Sequence, residues 1–145
     1  MNYWDTSTLT KLYVREADST YFLRLSQASQ SPLITSDISR QEMLCVLYRK
    51  EQSHDLKPRA AAKLFTKFLE DEEAGRILTI PNGKDVVTAS ELIVQKIYKH
   101  IPPMILRSLD TIHLASALVA KATTIVTTDK RLRDVALLMN LNVLP

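Results

Sequence analysis

The stretch SLDTIHLASALVAKATTIVTTDKRLRDVALLM, residues 108–139, places a short β-branched run between two segments of helical period. Residues 108–121 repeat apolar side chains at helical spacing, residues 124–127 (TIVT) are typical of a buried strand, and residues 130–139 return to a helical pattern. Strands separated by helices of ten or more residues need crossover connections, and such connections join parallel strands. The stretch therefore predicts an α/β fold with a mainly parallel sheet.

The rest of the chain continues the same alternation. Short apolar runs predict further strands at residues 2–4, 32–35, 76–80 and 142–144, and helical period predicts helices over residues 6–15, 19–28, 40–52, 58–73 and 85–100. Helices that cover both faces of such a sheet form a three-layer α/β/α arrangement. No linker or repeat divides the chain, so we expect residues 1–145 to form a single domain.

Composition excludes several classes of protein. The chain has only 2 glycines, which excludes Gly-rich phosphate loops, and the single cysteine, Cys45, excludes an intrachain disulfide and a cysteine zinc cluster. No apolar run is long enough to span a membrane, and residues 1–5 (MNYWD) do not resemble a signal peptide. We therefore expect a cytoplasmic protein with no membrane partner. A net charge of +3 is compatible with an anionic ligand but does not identify one.

Four acidic residues lie where a predicted strand ends or a predicted helix begins. Asp5 and Asp129 follow the first and fourth predicted strands, and Glu42 and Asp110 lie in the first turns of predicted helices. Because the carboxyl ends of parallel strands lie at one edge of the sheet, we expect the four side chains to converge there. Carboxylates that converge in a partly buried crevice repel one another unless cations lie between them.

Oxygen-only ligation favours Mg²⁺ or Mn²⁺, and phosphodiester hydrolysis is the natural chemistry of such ions. Nearby hydroxyls could orient the ligands; the candidates are Thr6, Ser7, Thr127 and Thr128. Helix capping is the alternative explanation. Ser39-x-x-Glu42 has the spacing of a capping box, Asp110 suits the dipole of a first helical turn, and Asp5 and Asp129 suit N-cap positions. The spacing alone leaves both explanations open.

Four segments resemble a known family. Asp5-Thr6-Ser7, followed by Leu9 and Lys11-Leu12-Tyr13, resembles the opening of PIN-domain ribonucleases, and more narrowly of the VapC-like toxins of bacterial toxin–antitoxin pairs. Residues 36–44 (SDISRQEML), 106–115 (LRSLDTIHLA) and 125–132 (IVTTDKRL) are similar to the second, third and fourth acidic motifs of that family. The decapeptide is the most specific of the four, and the resemblance extends over the whole chain.

This resemblance implies a PIN-like fold in which Asp5, Glu42, Asp110 and Asp129 are the metal-binding and catalytic residues. It implies Mg²⁺- or Mn²⁺-dependent endonucleolytic cleavage of RNA, commonly tRNA or ribosomal RNA. It also implies a homodimer and a cognate VapB-like antitoxin that blocks the cleft. The apolar residues Phe22, Leu25, Phe65 and Phe68 could form one of these interfaces, although the core of the domain is the more common role for such side chains.

Basic residues near the acidic edge are candidate contacts for RNA phosphates, namely Arg40, Lys130 and Arg131. Solvated helix residues are the alternative for each of them. His113 lies on the same helix face as Asp110, but its apolar neighbours favour a hydrogen-bonded, partly buried histidine over a metal ligand.

Two other functions fit parts of the pattern. A phosphatase of the haloacid-dehalogenase type also begins with an aspartate after the first strand, but it needs a second one two residues later, where this chain has Ser7. A non-catalytic module that binds RNA or protein is the other alternative. The presence of all four acids counts against it.

Overall fold

The computed structural model describes residues 1–145 as five strands alternating with seven helices. The strands are β1 (Asn2–Trp4), β2 (Leu33–Ser36), β3 (Ile77–Ile80), β4 (Thr124–Val126) and β5 (Asn142–Leu144). The helices are α1 (Thr6–Thr10), α2 (Ser19–Gln27), α3 (Ile38–Gln52), α4 (Ala60–Glu73), α5 (Lys84–Tyr98), α6 (Ser108–Val119) and α7 (Lys130–Leu138).

The five strands form one parallel sheet in the order β3-β2-β1-β4-β5. The predicted α/β class and parallel sheet are therefore confirmed. In register, Tyr3 of β1 lies opposite Ile34 on one side and Ile125 on the other. The chain adds strands outward from β1 first on one side and then on the other, so the order reverses between β1 and β4. A crevice at the carboxyl ends of the strands is expected at such a reversal.

Successive side chains of the strands enter two different cores, one on each face of the sheet. Tyr3 and Ile125 pack with residues of α5, α6 and α7, whereas Trp4 and Val126 pack with residues of α1 to α4. This is the period of two that a strand buried on both faces requires. The helices on both faces confirm the predicted three-layer α/β/α arrangement.

Two helices differ from the predicted bounds in ways that affect the candidate site. Helix α1 ends at Thr10 instead of Arg15, because the amides of the next three residues bond to carbonyl oxygens three residues back. Helix α3 begins at Ile38 instead of Arg40. Glu42 therefore lies beyond the first turn of α3, and the first-turn placement predicted for it is wrong.

The apolar residues considered as interface candidates belong to the protein's own core. Phe22 and Phe68 are fully buried, and Leu25 and Phe65 pack against the same cluster. Exposed large apolar side chains are scattered over the surface, and six of the fourteen lie on α5 and on the segment that follows it, at Val87, Leu92, Val94, Tyr98, Ile101 and Ile105. None of the seven helices combines the length and the apolar character that crossing a bilayer requires.

Four charged residues tie the end of α1 to α2 and α3. The Lys11 ammonium donates to Asp18 at 2.7 Å and lies 3.4 Å from Glu16, and Lys50 lies 2.7 Å from another oxygen of Glu16. The hydrogen bond from Lys50 lowers the pKa of Glu16, and the hydrogen bond from Lys11 lowers the pKa of Asp18. Both carboxylates are therefore held in the charged form by the folded protein.

This cluster predicts a pH-dependent contribution to stability. Because both carboxyl pKa values fall on folding, their contribution is complete above the ordinary values of 4.5 and 3.8 and is lost as the pH falls through the folded-state values. We expect Lys11→Met to lower the free energy of unfolding near neutral pH, with the difference from the parent shrinking below about pH 4. Urea unfolding between pH 3 and pH 7, with the exposed Lys63→Met as control, measures this. Equal losses at both ends of the range would contradict it.

Candidate active site

Asp5 directly follows β1 and accepts hydrogen bonds on both carboxylate oxygens. Oδ1 accepts from the backbone nitrogen and the hydroxyl of Thr8 at 2.8 and 2.7 Å, and from the Ser7 hydroxyl at 2.9 Å. Oδ2 accepts from the Thr127 hydroxyl, which extends from the end of β4. The bond from the Thr8 nitrogen confirms the capping role considered for Asp5. The same bonds hold a 5% exposed carboxylate at the crevice between β1 and β4.

Asp129 is held at the same crevice by related bonds. Its Oδ1 accepts from the backbone nitrogen of Leu132 at 3.0 Å, so Asp129 also caps its helix, α7. Its own backbone nitrogen donates to the Thr127 hydroxyl at 3.1 Å. Thr127 thus contacts both residues, and its bond to Oδ2 of Asp5 supports the predicted role of this hydroxyl in orienting a carboxylate. Thr128, a further predicted hydroxyl, is exposed.

Glu42 is held by side chains of other elements, and the capping-box explanation for it is wrong. The N-cap of α3 is Asp37, and the Ser39 hydroxyl lies within hydrogen-bonding distance of Thr6, at 3.1 Å. Oε2 of Glu42 accepts from the hydroxyl of Thr6 and lies 2.7 Å from Nε2 of His113. The contact with Glu42 supports the predicted role of Thr6, whose hydroxyl was expected to orient an acidic side chain.

The surroundings of Glu42 favour its charged form. Burial raises its pKa, but the hydrogen bond and charge of His113, the Thr6 hydroxyl and the field of Arg107 outweigh burial, and the net pKa is lowered. Its side chain is still 24% exposed. Glu42 is thus a charged carboxylate with one side toward solvent.

Asp110 and Arg107 complete the arrangement. Asp110 lies in the first turn of α6, as predicted, and its Oδ2 accepts from Nε of Arg107 at 2.7 Å. Nη2 of the same guanidinium lies 3.3 Å from Oδ2 of Asp129. The hydrogen bond with Asp110 is the main reason that the pKa of Arg107 is raised. Arg107 therefore joins two of the four acids.

Arg107 had no predicted role, although it lies three residues before Asp110, a spacing at which side chains on one helix face can pair. His113 is buried and hydrogen-bonded, as expected, but the sequence did not indicate that its partner is Glu42. Nothing in the local pattern connects these two residues, because they lie on different helices.

The donor set fits a hard divalent cation. The acids offer only carboxylate oxygens, and a positive charge, the Arg107 guanidinium, already lies between Asp110 and Asp129. No protein hydrogen bond reaches Oε1 of Glu42 or Oδ1 of Asp110, so these oxygens are free to accept a ligand. No group of three His, Cys, Asp or Glu side chains is close enough to hold an ion jointly. Binding through one or two carboxylates and water is the arrangement typical of Mg²⁺.

The three basic residues considered for RNA binding differ in their surroundings. Arg40 donates to Glu72 at 2.8 Å, and Lys130 to Asp134 at 2.7 Å, so part of their charge is neutralised within the protein. Arg131 is exposed and forms no ion pair. Among the three, Arg131 is the residue whose charge is not already matched.

The chain is similar in sequence to one protein family and in fold to several solved structures. The PIN domain family model matches residues 3–138, whereas no curated protein matches the chain. Three solved structures share the fold at low identity. They are Mycobacterium tuberculosis VapC20, described as a sarcin–ricin loop cleaving toxin (17% identity, TM-score 0.70, 100% of each chain); VapBC2 from Rickettsia felis bound to a DNA fragment from their promoter (15%, 0.69, 99% of this chain and 97% of that one); and FitAcB from Neisseria gonorrhoeae (18%, 0.68, 100% and 97%).

The hydrogen bonds predict different effects for two isosteric substitutions. Asp5→Asn directs an amide group at hydroxyl and backbone donors, so we expect a loss of about 1–3 kcal/mol in the free energy of unfolding without metal. Asp110→Asn weakens only a pair with Arg107, which is 69% exposed, and we expect a change of about 0–1 kcal/mol. Urea unfolding in the presence of a chelator compares the two. A large loss for Asp110→Asn would instead assign that residue a structural role.

Proposed function

The chain belongs to the PIN domain family, and we propose that it is a divalent-metal-dependent endoribonuclease, with Asp5, Glu42, Asp110 and Asp129 as its metal-binding and catalytic residues. One observation carries the proposal. The carboxylates of Asp110 and Asp129 share one guanidinium, that of Arg107, and Asp5 is joined to Asp129 through Thr127. The field of the same guanidinium also lowers the pKa of Glu42. Helix caps alone do not require such a convergence.

Each acid has a defined part in the proposed mechanism. Mg²⁺ or Mn²⁺, when bound, supplies activation of water and stabilisation of the leaving oxygen of a phosphodiester. Glu42 and Asp110 would hold the ion through the oxygens that no protein donor occupies. Asp5 is held by the Thr127 hydroxyl and Asp129 by the backbone nitrogen of Leu132, so both carboxylates stay fixed at the crevice and maintain its negative charge.

The RNA backbone would be bound by cations beside these acids. Arg107 exposes most of its side chain and can turn toward a phosphate, for which a guanidinium is well suited. Arg131 offers an unpaired charge, and Lys130 and Arg40 would add phosphate contacts by exchanging their present carboxylate partners. The description of the Mycobacterium tuberculosis relative as a sarcin–ricin loop cleaving toxin supports structured RNA, either ribosomal RNA or tRNA, as the substrate class.

We further propose that the protein is the toxin of a toxin–antitoxin pair, with a VapB-like antitoxin and a second copy of the chain as partners. The similarity to VapBC2 and FitAcB supports the antitoxin. The exposed apolar residues of α5 and of the following segment, of which Tyr98, Ile101 and Ile105 are the most exposed, support an interface on that side. The PIN family match argues against the phosphatase alternative, and Ser7, which stands where that mechanism needs an acid, donates to Asp5 instead.

Cleavage of a mixed pool of tRNA and ribosomal RNA tests the proposed activity. We expect the parent protein to produce discrete fragments with Mn²⁺ or Mg²⁺, none with chelator, and at least 100-fold fewer with Asp110→Asn, because outer or inner ligands of a metal site affect activity by about this factor. Asp110→Asn is preferred over Asp5→Asn because it should leave the metal-free fold intact. Asp85→Asn, an exposed aspartate in the first turn of α5, is the matched control and should cleave like the parent.

Thermal unfolding with and without Mn²⁺ separates catalysis from binding. The parent and Asp85→Asn should be stabilised by Mn²⁺, and Asp110→Asn should not. A parent that neither cleaves RNA nor gains stability from Mn²⁺ would overturn the proposal and favour a non-catalytic module. Cleavage that persists in Asp110→Asn would remove this residue from the set.

A further inference from the structure

Two buried side chains, Tyr3 and His113, form with Glu42 a line of hydrogen bonds that runs from the candidate site into the core. Oη of Tyr3 lies 2.7 Å from Nδ1 of His113, and Nε2 of His113 lies 2.7 Å from Oε2 of Glu42. Tyr3 and His113 are both buried, and their rings meet edge to face. The line joins β1, α3 and α6, which are the elements that lead into or carry Asp5, Glu42 and Asp110.

The chemistry of the carboxylate fixes the direction of the hydrogen bond to Glu42. The carboxylate of Glu42 can only accept, so Nε2 of His113 must carry the hydrogen. Nδ1 of the same ring lies 2.7 Å from Oη of Tyr3, so the imidazole is bonded at both nitrogens. Tyr3 therefore fixes the ring orientation in which Nε2 of His113 donates to Glu42.

We infer that Tyr3 and His113 are positioning residues that hold Oε2 of Glu42 inside the protein and thereby present Oε1 to the acid cluster. The inference rests on the proposed function, since it assigns Oε1 a part in cation binding. Both donors to Glu42, Nε2 of His113 and the Thr6 hydroxyl, act on Oε2, and none acts on Oε1. Because both donors act on one oxygen, the other oxygen carries no protein hydrogen bond and is the one available to a cation.

A purely structural role for the line makes a different prediction from a positioning role. Loss of a buried hydrogen bond lowers the free energy of unfolding wherever it occurs. Tyr13 provides the comparison, because its hydroxyl donates to Asp71 at 2.6 Å and its ring packs on Phe68 in the other core. Tyr13→Phe therefore removes an equivalent hydroxyl that has no connection to Glu42. A purely structural role predicts that both variants bind the cation as the parent does. A positioning role predicts that Tyr3→Phe binds it more weakly than Tyr13→Phe.

The test compares Mn²⁺ affinity and RNA cleavage in folded variants. His113→Leu should weaken Mn²⁺ binding by roughly 10- to 100-fold, the range for residues that orient a metal ligand, and should lower kcat more than it raises KM. His113→Gln, whose amide can still donate to Oε2, should recover most of both. Tyr3→Phe should weaken Mn²⁺ binding by a smaller factor, and Tyr13→Phe should leave it unchanged. Mn²⁺ titration by electron paramagnetic resonance measures the affinities.

The hydrogen on Nε2 of His113 provides a readout that needs neither metal nor RNA. In metal-free protein, ¹⁵N resonances of the imidazole should show hydrogen on Nε2, and Tyr3→Phe should lower the fraction of molecules in which Nε2 carries it. A parent in which Nε2 carries no hydrogen would overturn the inference. Parent-like Mn²⁺ affinity in His113→Leu would also overturn it, while leaving the nuclease proposal standing. A parent that binds no Mn²⁺ would overturn the proposed function itself, and with it the part assigned to Oε1.

Discussion

The structure depends on the placement of one very short strand, β1, at the centre of the sheet. Its three residues pair with β2 on one side and β4 on the other. Tyr3 and Trp4 are 0% exposed and anchor the two opposite cores, so the strand is fixed on both faces and both edges at once. Asp5, the next residue, has no freedom to move away from the crevice. The position of the first acid is thus a consequence of packing.

The fold was predictable from the sequence because its signals are local. Strands such as residues 124–127 are β-branched and short, and the helices around them keep a helical period, so both can be recognised without knowing their partners. Helix ends were less predictable. Helix α1 ends early because the amides after Thr10 bond three residues back, and the apolar spacing of residues 6–15 does not indicate this tighter turn.

The candidate site was predictable only in part. Topology alone indicates that Asp5, Glu42, Asp110 and Asp129 converge, since strand ends and helix starts share one edge of the sheet. The contacts that define their chemistry are long-range: Glu42 of α3 meets His113 of α6, and Arg107, at the start of α6, reaches Asp129 after β4. Asp129 caps its helix and pairs with Arg107 at the same time, because each contact uses a different carboxylate oxygen.

The bond between Thr127 and Asp5 has a consequence for how the protein is made. These residues are separated by almost the whole chain, yet the acid cluster is incomplete until they meet. During translation, β1 emerges from the ribosome long before β4, and contacts of such separation form late. A nascent chain therefore has no assembled cleft until β4 has emerged from the ribosome and paired with β1. The proposed activity against cellular RNA cannot begin before that pairing.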